Sequence, residues 1–385
     1  MNQAAKNLGI EVEDTFFHED EEEILWAIYK TVMKLHIFNP EHDIALASDM
    51  FNFVAPHAGR EMRSDLGFLP ALWAEDGDMV LVDDIASALS RVRHLGRYAH
   101  DVAFVTYQDL KHLPPLEEIC PWGWDRSLRF QLERKGIAKE LLPTDAYLDS
   151  IRAMSHRWWA GQNLLKKLTE ANDERVGSSR LIDNINQLDN IGYTYVMKAP
   201  WSSSGRGLRY VDQLTSHQRG WAKNVIARQG ALTLEPYYRK IKDFAVELYA
   251  YPDRIEYLGL SVFQSSNGSY VGNILASEEE KVEIISKYIP FHRVQSGIDE
   301  LCAILTDEMV GKYTGPLGVD MMIVDENGIK LHPCVELNLR RTMGHVALSF
   351  NQTQTDPRKL MQISYSRGYH FRVLTTAENC YPSVW

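Results

Sequence analysis

Glu336 and Asn338 stand two residues apart in the run Val335-Glu336-Leu337-Asn338-Leu339-Arg340. If that run is a strand, both side chains leave the same face. A carboxylate and an amide oxygen on one face suit Mg2+, a hard ion that takes oxygen ligands and keeps sites for water and phosphate. Gly318-Val319-Asp320-Met321-Met322-Ile323-Val324 reads as the neighbouring strand, joined through a turn containing Asn327-Gly328, and Asp320 would complete the set. Acids on apolar strands are costly without a cation or partner. Arg340 and Arg341 follow directly, facing either a substrate or local acids.

Register decides whether these groups meet. A four-residue loop at 325–328 would set Asp320 opposite Pro333 and turn Glu336 to the other face. A five-residue loop pairs Asp320 with Cys334 and brings Glu336 to the right face; a bulge near Pro333 does the same. One of these two is expected.

Two further segments bear on the same chemistry. In the first, the strand Tyr193-Thr194-Tyr195-Val196-Met197-Lys198 passes through Ala199-Pro200-Trp201 into Ser202-Ser203-Ser204-Gly205-Arg206-Gly207. Small residues let successive N–H groups turn toward an anion, and a lysine adds a fixed positive charge. The segment lacks G-x-x-x-x-G-K-[ST], so it is not a Walker loop, and an ordinary hairpin would use the same residues. In the second, Leu232 to Glu235 leads into Pro236-Tyr237-Tyr238, followed by Asp243. Pro236 would break strand pairing and leave backbone groups for a purine edge. A strand end with core tyrosines is the alternative.

The elements that must carry these groups follow from patterning. Short apolar runs at 34–38, 79–82 and 102–105 alternate with helical or loop stretches, which predicts a small open parallel sheet. No G-x-G-x-x-G follows the first run. Asn39 to Asp43 lies where that strand ends, a position suited to a substrate contact or to a helix cap. Residues 121–170 read as helical, with one helix carrying Leu128 and Leu132 and ending near Gly136, and another capped by Ser155. Strands are expected at 193–198, 231–235, 244–251, 317–324 and 330–339. Residues 1–32 carry an acidic run, Glu19 to Glu23, ahead of a helical pattern; we read them as an acidic helix or extension, with the compact fold starting near Met33 and a helix packed on the core as the alternative.

Composition excludes several classes. Of 385 residues, 45% are apolar and 24% charged, an ordinary globular balance. A formal charge of −11, from 41 basic and 52 acidic residues, argues against a broad phosphate-reading face and hence against nucleic acid. Cys120, Cys302, Cys334 and Cys380 are too scattered for a disulfide scaffold or a structural zinc site. No run of 18 apolar residues and no basic-then-apolar leader occurs, so the reading is a cytoplasmic protein with no membrane partner. His36, His42, His57 and His100 have no metal-ligand spacing, His345 suits either substrate or a helix cap, and Trp122, Trp124, Trp158 and Trp159 read as packing.

Taken together, the three segments resemble the ATP-grasp superfamily from about His156 to Met343, about half the chain. The resemblance implies an α/β (α+β mixed) chain, an ATP-grasp fold preceded by a small Rossmann-like domain. It implies an α/β domain at 33–150, a lid subdomain at 151–235 and a core with the metal site at 236–385. ATP phosphates would be held by Lys198, by the loop residues Ser203, Ser204, Gly205 and Gly207, and by Arg157. The base would lie against Glu235, Pro236, Tyr237 and Tyr238, and the ribose against Asp243. Mg2+, or Mn2+, would sit on Asp320, Glu336 and Asn338, with Arg340 and Lys198 acting on the transferring phosphoryl group. Where the family often has Asp-Lys, this chain has His156-Arg157. The activity implied is ligation of a small-molecule or peptide carboxylate to an amine through an acyl phosphate, and a homo-oligomer is compatible with it. A regulatory nucleotide-binding protein without turnover is the alternative.

Overall fold

The computed structural model describes residues 33–170, 172–202, 207–266 and 269–375. The N-terminal extension therefore lies outside the described residues, as do Ser203, Ser204 and Gly205. No described helix is long and apolar enough to cross a membrane.

The chain opens with β1 (Met33–Ile37), α1 (His42–Ser48), α2 (His57–Leu66), β2 (Met79–Leu81), α3 (Ile85–Val92), β3 (Ala103–Val105), β4 (Leu116–Pro121) and α4 (Arg126–Arg134). The four strands form a parallel sheet in the order β3-β2-β1-β4. Its continuous apolar runs follow from burial on both faces. On one face Leu35, Ile37 and Leu81 pack on Leu128 and Leu132 of α4; on the other Phe38 and Val80 pack on Leu66 and Leu72. Asp84 and Asp125 cap α3 and α4, accepting the Ser87 and Leu128 amides at 2.6 and 2.9 Å. Strand β4 precedes the stretch expected to be helical and was not expected as a strand: its Glu117 and Glu118 are exposed on an edge strand, where charge blocks further pairing.

Next come α5 (Asp145–Met154) and α6 (Arg157–Ala160), which runs through a π-helical turn, Gly161–Leu165, into α7 (Lys166–Thr169). The cap of α6 is His156, whose Nδ1 accepts the Trp158 amide at 3.1 Å. Ser155, the expected cap, is still helical and donates its N–H to Ile151 O at the end of α5. An antiparallel sheet of β5 (Arg180–Ile182), β6 (Tyr195–Lys198), β7 (Leu208–Val211) and β8 (Leu232–Pro236) follows, in the order β5-β8-β6-β7. Helix α8 (Ser216–Gln229) closes one face with Ala222 and Val225.

The rest of the chain builds two more antiparallel sheets from β9 (Arg239–Ala250), β10 (Ile255–Ser261), β11 (Phe263–Ser266), β12 (Ser269–Leu275), α9 (Glu278–Ser286), α10 (Phe291–Met309), β13 (Gly315–Asp325), β14 (Ile329–Asn338), α11 (Met343–Leu348), β15 (Lys359–Tyr365) and β16 (Tyr369–Thr375). One is ordered β10-β9-β13-β14, the other β11-β12-β15-β16. Strict alternation governs the first. Leu317, Val319, Met321 and Ile323 join Val294, Ile298, Leu301 and Leu305 of α10 in the largest core, while Gly318, Asp320 and Met322 take the opposite face.

Candidate functional site

The hairpin of β13 and β14 fixes the site. Asp325 pairs with Ile329 around a three-residue turn in which Asn327 and Gly328 both have positive φ, 52° and 115°. Met322 still pairs with His332, but Asp320 pairs with Glu336 and Gly318 with Asn338. Residues 333–335 therefore lie opposite Met321 alone, a bulge beside Pro333. The tight turn leaves Val324 opposite Lys330, the register expected of the five-residue loop, which already puts Asp320, Glu336 and Asn338 on one face. The bulge carries two extra residues and so keeps that face while moving Glu336 from the diagonal to directly opposite Asp320.

On the other side of β13, Asp243 pairs with Met322 and Glu247 with Gly318, so β9 adds two carboxylates to the same face. Glu247 is buried, accepts from Thr342 Oγ1 at 2.7 Å and lies 2.9 Å from His345 Nδ1. His345 Nδ1 also accepts the Thr342 amide at 3.1 Å in a capping box, so the cap is what its position serves. Burial, then Glu336 and Glu247, push the Asp320 carboxyl well above the usual range.

Three cationic side chains converge on this face from separate elements. Arg157, the first residue of α6, donates from Nη1 to Ala199 O and Ser202 Oγ at 2.5 and 2.7 Å, and from Nη2 to Glu336 Oε1 at 2.5 Å. Lys198 ends β6; its Nζ lies 2.5 Å from Glu235 Oε2 and donates to Val335 O at 3.2 Å. Arg340 leaves β14 and grips Asp43 of α1 with Nε and Nη2, both at 2.9 Å, while Nη2 also reaches Asn338 Oδ1 at 2.9 Å. Burial opposes charge on both members of that pair, yet each holds the other ionised: Asp43 is shifted down and Arg340 up. Asp43 was one of the residues open to a substrate contact; its partner is Arg340.

The crevice among these groups is lined by Asp43, Ser155, Ser202, Glu336 and Asn338, and has a volume of about 20 Å3. That is room for a water, not for a triphosphate. Ser155 Oγ on its wall is buried without a partner, as is Arg157 Nε beside Glu336. A polar guest would satisfy both. Among the described residues no three His, Cys, Asp or Glu side chains form a metal-holding group; the oxygen set here is two carboxylates and an amide. Hard oxygen donors of that kind fit Mg2+ or Mn2+.

The remaining expected residues are spread around this centre. Gly207 O accepts the Ala199 amide at 2.8 Å, and a Cβ at Gly207 would lie 2.0 Å from Ser202 Oγ, so the loop closes only over glycine. Pro236 ends β8 as expected. Tyr237 is half exposed and its amide is taken by Thr194 O at 3.0 Å, which removes that N–H from base recognition. Tyr238 meets the edge of His332 at 5.6 Å, and burial raises its hydroxyl to about 12. Asp243 pairs with Lys240 at 2.5 Å. His332, missed in the sequence, is fully buried with neither ring nitrogen partnered; burial and Lys198 lower its pKa to about 3.

No family model and no curated protein matches this sequence. Among solved structures, the chain is similar to N5-carboxyaminoimidazole synthetase from Staphylococcus aureus complexed with ADP, at 13% identity and a TM-score of 0.47, over 86% of this chain and 82% of that one. It is also similar to a biotin carboxylase from Campylobacter jejuni in a β-γ-ATP complex, at 13% identity and a TM-score of 0.48, over 87% and 76%.

Proposed function

We propose that this chain is an ATP-grasp protein, an ATP- and Mg2+-dependent ligase that joins a small-molecule or peptide carboxylate to an amine through an acyl phosphate. The observation that carries the reading is the pairing of Asp320 with Glu336, with Asn338 on the same face and Arg157 and Lys198 reaching it from other elements. Such a set supports binding of a polyphosphate and a divalent cation at one place.

In this reading Asp320, Glu336 and Asn338 would hold Mg2+, or Mn2+, which when bound neutralises charge on the phosphates. Arg157 exchanges its contact with Glu336 for phosphate oxygens, which frees that carboxylate for the cation. Lys198 likewise trades Glu235 for phosphate. Arg340, held by Asp43, keeps a fixed orientation toward the transferring group, because a bidentate pair removes the freedom of the guanidinium. A substrate carboxylate oxygen then bonds to the γ-phosphorus as the bond to the ADP oxygen breaks. The amine attacks the acyl carbon, loses a proton and expels inorganic phosphate. Water must be kept out meanwhile, since it would hydrolyse the acyl phosphate.

ADP release is the assay. With Mg-ATP, full-length protein should release ADP only when a carboxylate and an amine from a substrate panel are both supplied, and Lys198→Ala should lower that rate at least a hundredfold. Nucleotide binding with no ADP from any pair would instead favour a regulatory binder.

A further inference from the structure

A second cavity, of about 320 Å3, lies in the N-terminal part of the molecule. It sits beyond the C-terminal ends of the parallel strands: β1 runs into Asn39 and Glu41, β3 into Tyr107, and β4 into Asp125, all on its wall. Open parallel sheets bind ligands at that edge, and the size suits a small molecule.

The floor is acidic and incompletely satisfied. Glu41 is 8% exposed; its Oε1 accepts from Arg63 Nη1 at 2.5 Å, while Oε2 is buried with no partner. A buried acceptor left without a donor is costly, and the missing donor has to come from an occupant. Asp125 adds a second carboxylate, against the partly buried guanidinium of Arg63, whose Nε also lacks a hydrogen-bond partner. Arg60 and Arg134 also border the cavity, but they are exposed, where water screens them far more than it does the floor.

The mouth is apolar. Phe51 and Val54 stand on the loop after α1 with 57% and 70% of their surfaces exposed, and the Phe51 ring meets Phe130 edge-on at 4.9 Å. Exposed aromatic and aliphatic side chains around a polar-floored cavity are what an amphipathic ligand would cover.

Helix α1 separates this cavity from the crevice at Glu336. Glu41 and Ala45 line the cavity, whereas Asp43 and Leu46, about half a turn away, line the crevice. The two sites therefore lie on opposite sides of one helix.

We propose that this cavity is a second binding site, for a small molecule carrying an ammonium head on an apolar or aromatic body. The head donates to Glu41 Oε2, and the body lies against Phe51 and Phe130. Burial raises the Glu41 carboxyl in opposition to Arg63, and a bound ammonium would act in the same direction as Arg63.

The test is a calorimetric titration of the full-length protein, without nucleotide, using phenethylamine and the carboxylate analogue hydrocinnamate. Phenethylamine should bind once per chain, and hydrocinnamate at least tenfold more weakly. Glu41→Gln should weaken phenethylamine at least tenfold. Phe51→Ala, at an exposed position that leaves folding untouched, should weaken it at least threefold and serves alone if Glu41→Gln does not fold. No phenethylamine binding, equal binding of the two probes, or unchanged affinity in a folded variant would overturn the proposal. Because nucleotide is absent, none of these outcomes bears on the proposed ligase.

Discussion

Asp320 bears the electrostatic cost of the site. Partial burial, then Glu336 and Glu247 beside it, hold its carboxyl above the usual range. Between its unfolded pKa, about 3.9, and its raised folded value the native state binds the extra proton, so stability falls as pH rises through that window. Asp320→Asn removes the penalty. Without Mg2+ the variant should melt above wild type at pH 8, with a gain of roughly 1.4 kcal/mol for each pKa unit of the shift. The gain should vanish below about pH 4, where both forms are protonated. Thermal melts from pH 4 to 8 check this; a variant melting lower than wild type at pH 8 would contradict it. That Glu336 and Asn338 share a face and that Lys198 ends a strand was legible in the sequence, because a two-residue spacing and a strand-ending lysine are local patterns. Asp43 was not identified as the partner of Arg340, since the two lie 297 residues apart. Glu247 sits inside an apolar strand, and only the register with Gly318 reveals which way it faces.

At the scale of elements, the bulge at 333–335 is the device that sets Glu336 directly opposite Asp320 on the face the turn's register has chosen. The sequence arithmetic required either a longer loop or a bulge, because a period of two allows no other way to align Asp320 with Glu336. Deleting Cys334 should shift β14 by one residue and turn the Glu336 and Asn338 side chains away from Asp320. Differential scanning fluorimetry should then show stabilisation by Mg-ATP in wild type and none in a folded deletion variant; equal stabilisation in both would contradict this role for the bulge. The central strands were readable from alternation. Strand β4 was hidden by its acids, and β15 and β16 went unread. Met361 of β15, and Phe371 and Val373 of β16, pack in one cluster with Phe38 and Val80 of the N-terminal part, contacts that no local window contains.

For the whole molecule, the site is a junction. Helix α6, the sheet of β6 and β8, the hairpin of β13 and β14 and helix α1 all send groups to it, and Arg157 pairs with Glu336, Lys198 with Glu235 and Arg340 with Asp43. The crevice beside Glu336 holds about 20 Å3, and Arg157 and Lys198 are occupied by Glu336 and Glu235, so in the proposed reading a triphosphate takes over both cations from these carboxylates. Breaking partly buried ion pairs is costly unless replacement charges arrive together, which is why cation and nucleotide should bind as one. Calorimetric titration of ATP into the full-length protein, with Mg2+ and then with EDTA, tests this most directly. The account predicts one site per chain with Mg2+, and affinity at least tenfold lower with EDTA or in Glu336→Gln. Binding of equal strength in all three conditions, or no binding with Mg2+ present, would contradict it.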